Sequence, residues 1–109
     1  MKWPNKIATT VRERSEGICE GCGKAPAVNM HHRKYVSRGG KSTVDNALHL
    51  CGVGNAAGCH GVAHSGEGHE LGWSVNSWGD PRLVPVVYRG RVVFLGVDGR
   101  LIEQGETDF

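Results

Sequence analysis

The spacing of hydrophobic and polar positions changes twice along the chain, and the three resulting segments predict different structures. From Pro4 to Glu16 apolar residues are sparse, with Ile7 and Val11 at i and i+4 among polar neighbours, which places them on one helical face. Pro4 suits a first helical turn and Gly17 a stop, so the segment predicts a short amphipathic helix. Between residues 18 and 65 the apolar pieces shorten to "AVNM" and "ALHL", which fit the strands of a small hairpin.

From Gly66 onward the pattern changes again. "GEGHELGWSVNSWGDP" reads as loop, and "LVPVVYRGRVVFLGVDGRLIEQG" then offers three β-branched runs separated by Arg89-Gly90 and Asp98-Gly99. Asp98-Gly99 is the stronger tight-turn signal of the two. The segment predicts a small antiparallel meander, with Pro85 at a strand start or on an edge, where its missing N–H costs no ladder bond. No fixed-period repeat, low-complexity tract or long linker divides the chain. Residues 1–109 are therefore read as one small α+β domain, with a chemical centre over 16–65 and a β extension over 66–109.

A chain of 109 residues buries only about two-thirds of the surface its unfolded form exposes. With 39% hydrophobic residues, 6% aromatics and 17 glycines, the core is modest and needs help. Four cysteines offer it, as two disulfides or as one metal site. The N-terminal "MKWPNKIATTVRERSEG" is polar, and no apolar run approaches the roughly 20 residues that cross a bilayer. A cytoplasmic, reducing setting without a membrane partner is the expectation, and there close cysteine pairs hold metal.

Cys19 and Cys22 form the knuckle "CEGC", while seven residues separate Cys51 from Cys59, more than the usual spacing of about two to four. The excess is mostly glycine and alanine, which can bulge outward without moving the ligands. Four thiolates around a structural Zn²⁺ are expected; the alternatives are one pair of plain buried thiols, or His60 in place of Cys59.

The histidines suggest a second ion. His60 and His64, in "HGVAH", share one face if helical, and Cys59 then points about 100° away from His60. An open catalytic site takes about three protein ligands, and His31 completes that set. His32 is left as general base. On a regular strand adjacent residues face opposite ways, so the strand is expected to end or twist at His31 and His32. Asn46 closes the intervening loop, where both ends of its amide can bond backbone. His49 is read as structural, His69 as surface, and Trp3, Trp73 and Trp78 as core or interface anchors.

The net charge of +2 does not by itself identify a nucleic-acid partner, but Arg33, Lys34, Arg38 and Lys41 follow the paired histidines with no acid before Asp45. Such a loop could meet phosphates.

The ordered set Cys19, Cys22, His31, His32, Gly39, Gly40, Asn46, Leu50, Cys51, Cys59, His60 and His64 resembles the HNH endonuclease pattern of the His-Me finger superfamily. A further likeness runs through "GWSVNSWGDPRLVPV" to small HNH proteins of tailed bacteriophages. The resemblance implies a ββα-metal core and an endonuclease acting on double-stranded DNA; cations that hold only the DNA backbone give low sequence specificity, and the small size and weak charge suggest action within a larger assembly such as phage packaging proteins. The resemblance assigns His32 as base, His31, His60 and His64 as ligands of Mg²⁺ or Mn²⁺ (Ni²⁺ or Zn²⁺ also fit imidazole), Asn46 as loop-fixing residue, and 5′-phosphate products. The competing expectation is a non-catalytic zinc-stabilised module that binds DNA or protein.

Overall fold

A computed structural model describes residues 3–103. Helix α1 spans Asn5–Ser15 and stops where Glu16 and Gly17 both turn left-handed. It buries Ala8 and Val11 against the 3₁₀ turn Val44–Asn46 and the strand that follows. Strands β1 (Asn29–His32) and β2 (Ala47–Leu50) pair antiparallel, with His31 opposite Leu48 and His32 opposite Ala47. A short helix α2 (Gly58–Ala63) and a single turn α3 (Glu67–Glu70) follow. Strands β3 (Val86–Tyr88), β4 (Arg91–Leu95) and β5 (Leu101–Glu103) then form a second antiparallel sheet in sequence order. The chain is a small α+β fold with two small antiparallel sheets. None of its described helices is long and apolar enough to cross a membrane.

The "ALHL" strand stands where expected, but the first strand begins midway through "AVNM" and runs over Asn29–His32. Residues 26 and 27 are taken by the knuckle instead: Pro26 bridges Ile18, and the Ala27 N–H donates to the Gly17 carbonyl at 2.9 Å. α3 is helical where loop was expected. The meander turns at Arg89-Gly90 with φ of 50° and 85°, the mirror-image turn that matches strand twist. Residues 104–109 of the expected C-terminal extension lie outside the described residues.

The second sheet is locked onto the cysteine knuckle. Val86, Tyr88, Val93 and Leu95 share one buried cluster with Cys19, Leu48, Leu50 and Trp73. The Arg89 guanidinium leaves its turn to donate to the carbonyls of Ser15, Ile18 and Cys19. Beneath it Glu20, fully buried, accepts two bonds from Arg14, at 2.6 and 2.9 Å, and one each from the Tyr88 hydroxyl and the His49 N–H. One carboxylate thus ties α1, the knuckle, β2 and β3 together, with every oxygen satisfied as a buried charge requires.

Arg33 corrects an expectation. Its side chain is 0% exposed and donates to the carbonyls of Asp45, Gly72, Pro81 and Val84 at 2.8–2.9 Å. Burial lowers its pKa to about 9, opposed by Asp45, so it stays charged at neutral pH. Arg33 is an internal strut that cannot also meet a DNA phosphate. Arg33→Lys keeps the charge but loses the fork of donors, stranding at least two carbonyls; a loss of about 3 kcal/mol is expected in urea unfolding. Trp78, also expected as an anchor, is 85% exposed, whereas Trp73 is buried and donates to the Val87 carbonyl.

Candidate functional site

The four cysteines come from two turns, and their sulfurs all lie within 4.8 Å of one another. All are free thiols. The knuckle turns so that the Gly21 N–H points at Cys19 Sγ (3.3 Å), and at the start of α2 the Cys59 N–H points at Cys51 Sγ (3.4 Å). Burial raises the Cys19 pKa, but backbone N–H groups of Cys22, Cys51 and Gly21 outweigh it and hold the thiol near about 7. Burial and the charge of Cys19 push Cys59 the other way. N–H groups aimed at sulfur favour thiolate, while thiolates this close repel, and a divalent cation such as Zn²⁺ resolves both. The cluster could therefore hold a structural metal.

The wide Cys51–Cys59 spacing is absorbed by a loop that folds back on itself. Gly52, at φ 102°, sits against the Ala57 backbone where a Cβ would collide with its carbonyl. The Asn29 side-chain amide donates to the Gly52 carbonyl and holds the loop against β1. His60 does not join the cysteines.

One ring nitrogen each of His31, His60 and His64 lies within 4.8 Å of the others. His31 Nε2 is 2.8 Å from the Trp73 carbonyl and His60 Nδ1 is 2.7 Å from the Gly54 carbonyl. A carbonyl only accepts, so both nitrogens carry the proton, and each ring presents its other nitrogen as a lone pair. His60 Nε2 then faces His64 Nε2 at 3.2 Å, while His64 Nδ1 is 3.0 Å from the Tyr35 hydroxyl. Outer nitrogens bonded and inner nitrogens convergent is the arrangement of a metal-binding histidine set. Burial drives His31 down to about 3, resisted by the Trp73 carbonyl and reinforced by its imidazole neighbours, so it is neutral and ligand-competent.

His32 is the last residue of β1, where the strand ends. The two adjacent histidines sit in regular register, so no break between them is needed. His32 stacks on Trp3 with ring centroids 3.9 Å apart, and its Nε2 lies 3.0 Å from Ser42 Oγ. The four histidines nonetheless line one cavity of about 230 Å³, together with Tyr35.

Asn46 is buried and closes the loop between the strands. Its Oδ1 accepts from the Lys34 N–H at 2.7 Å, and its Nδ2 donates to the carbonyls of Lys34 and Lys41. Inside the loop Gly39 takes φ 88°, and a Cβ on Gly40 would strike the Lys34 carbonyl, which accounts for the paired glycines. Of the remaining cations, Lys41 is exposed, Lys34 Nζ donates to the Gly79 carbonyl, and Arg38 lies over the Tyr35 ring at 4.5 Å. His49 bonds Ser15 Oγ through Nδ1, a structural contact, and His69 is exposed.

The Arg14–Glu20 pair, Ser42 and Tyr35 were not singled out by sequence. Only "CEGC" hinted at Glu20, as a residue enclosed by the knuckle.

The chain is similar to the type IV methyl-directed restriction enzyme EcoKMcrA of Escherichia coli (strain K12), 33% identical over 67 residues. The match covers 53% of this chain and 22% of that protein, so the chain spans about a fifth of the curated relative's length. No protein-family model matches the chain, and no solved structure matches it.

Proposed function

We propose that the chain is a metal-dependent DNA endonuclease of the HNH type, with β1, β2 and α2 as its ββα-metal core. The observation that carries this reading is the convergence of lone pairs from His31, His60 and His64 in a cavity that His32 also lines. The similarity to a restriction enzyme supports a nuclease and makes DNA the natural substrate.

His31, His60 and His64 would hold the catalytic cation, Mg²⁺ or Mn²⁺. When bound it supplies positive charge for the phosphoryl oxygens and the leaving 3′ oxygen. His32 takes a proton from the attacking water; where its Nε2–H donates to the Ser42 hydroxyl, Nδ1 is the receiving atom. The water oxygen bonds to phosphorus as the bond to the 3′ oxygen breaks, leaving a 5′-phosphate and a 3′-hydroxyl. Asn46 keeps the loop closed behind His32. Lys34, Arg38 and Lys41 hold the DNA backbone without reading bases. The Nη1 of Arg38 is buried without a hydrogen-bond partner, a donor that a phosphate oxygen would satisfy once the side chain turns outward.

The test is conversion of supercoiled plasmid to nicked or linear form with added Mg²⁺ or Mn²⁺, stopped by EDTA. His60→Ala combined with His64→Ala should abolish cleavage and lower the bound divalent ions from two to one. A wild-type chain that binds zinc alone and never cuts would instead be a zinc-stabilised binding module.

A further inference from the structure

A second and larger cavity, of about 450 Å³, is also lined by the loop that Asn46 closes. Its lining includes Lys34, Lys41 and Arg82 together with Asp45 and Asp80. Asp80 is paired with Arg82 at 2.9 Å and accepts from the Arg82 N–H. Asp45 is different. It is 7% exposed, it lines the cavity, and among the described residues its carboxylate makes no hydrogen bond or ion pair. The Asp45 backbone carbonyl accepts from Arg33, and the charges of Arg33 and Arg82 act on its carboxylate without donating a hydrogen bond to it.

A carboxylate that lines a cavity beside three cations and has no hydrogen-bond donor of its own suits a ligand that brings N–H donors to it and negative charge to the lysines and arginine. Trp78, which directly precedes the lining residue Gly79, presents its indole to solvent. An exposed indole next in sequence to a cavity lined by lysine and arginine offers a platform on which an unstacked base can rest. Guanine alone among the DNA bases offers two adjacent donors, N1–H and the N2 amino group, which fit one carboxylate as a bidentate pair. Adenine and cytosine place an acceptor beside their amino group, facing Asp45 with repulsion, and thymine brings a single donor.

We propose that this cavity is a subsite for an unstacked guanine nucleotide of the bound DNA, its base edge on Asp45 and its flanking phosphates on Lys41 and Arg82. Lys34 bridges the two sides of the subsite through the Gly79 carbonyl, and Asn46 fixes Lys34. The same loop contributes Tyr35 and Val36 to the histidine cavity, so a nucleotide seated here is registered against it. The proposal rests on the nuclease reading for its substrate and adds a base preference to contacts otherwise limited to backbone.

The test is binding, measured by fluorescence anisotropy on the full chain without added Mg²⁺ or Mn²⁺. The probes are short oligothymidylates carrying one central guanine, hypoxanthine or thymine. Guanine should bind about ten-fold tighter than thymine, and hypoxanthine, which lacks the N2 amino group, should lose most of that gain. Asp45→Asn should bring the probes to equal affinity, and Trp78→Ala, at an exposed position that leaves the fold intact, should weaken the guanine probe about ten-fold. Equal affinity of wild type for guanine and thymine would overturn the proposal, as would an unchanged preference in a folded Asp45→Asn chain. Plasmid cleavage without guanine preference would end this proposal and leave the nuclease standing; guanine preference in a chain that never cuts would end the nuclease reading alone.

Discussion

Stripping metal from the four cysteines with a strong chelator under reducing conditions is expected to unfold the chain. A structural Zn²⁺ site contributes about 10–16 kcal/mol at neutral pH, as large as the whole stability of a domain, about 5–15 kcal/mol. Here the dependence is sharpened by what surrounds the sulfurs. Cys19 is fully buried in the cluster that joins Leu48 and Leu50 of the first sheet to Val86, Val93 and Leu95 of the second. Without an ion, thiols this close either stay protonated in the core or repel one another as thiolates. The Arg89 clamp on the carbonyls of Ser15, Ile18 and Cys19 loses its fixed target once the knuckle opens. Near-ultraviolet circular dichroism should report it, because Trp73 packs against Gly21 and bonds Val87. Cys19→Ser should behave like the chelated protein. A metal-free chain that kept the Trp73 signal and a cooperative melt would show that the cysteines are plain core thiols.

The sequence made the elements of the site legible where local chemistry dominates, and hid it where distant backbone does. "ALHL" reads as a strand because Leu48 and Leu50 alternate with His49, and the structure buries both leucines against the cysteine cluster. Asn46 reads as a loop-closing residue because its amide can serve donors and acceptors together, and it bonds the backbone of Lys34 and Lys41. Arg33 was misread because its charge argued for solvent, the usual place for arginine. Its acceptors are Asp45, Gly72, Pro81 and Val84, carbonyls whose convergence no local pattern announces. The start of the first strand was misplaced similarly. Apolar "AVNM" carried the signal, yet Ala27 is spent on the knuckle, so pairing begins at Asn29 and runs on to the imidazoles.

Replacing His32 with alanine is expected to abolish plasmid cleavage while leaving the fold and both metals in place. Loss of a general base costs about 10²–10⁴-fold in rate. The fold should tolerate the change because His32 is only half-buried and its contacts are one stacking partner, Trp3, and one hydroxyl, Ser42. This sets it apart from His31, one position earlier, which is buried and bonded to the Trp73 carbonyl. His31→Ala should lower the divalent-ion count and the melting temperature together, and His32→Ala should lower neither. Burial also holds the His32 imidazole below its ordinary pKa, so at neutral pH the ring is already free to accept a proton. Undiminished cutting by His32→Ala would move the base elsewhere among the residues lining the histidine cavity. There Tyr35, whose hydroxyl is bonded to His64 Nδ1, is the only other described side chain with a proton-transferring atom beyond the histidines that converge on one another. Cleavage by the pair His32→Ala and Tyr35→Phe therefore decides between a base at the end of β1 and one on the loop.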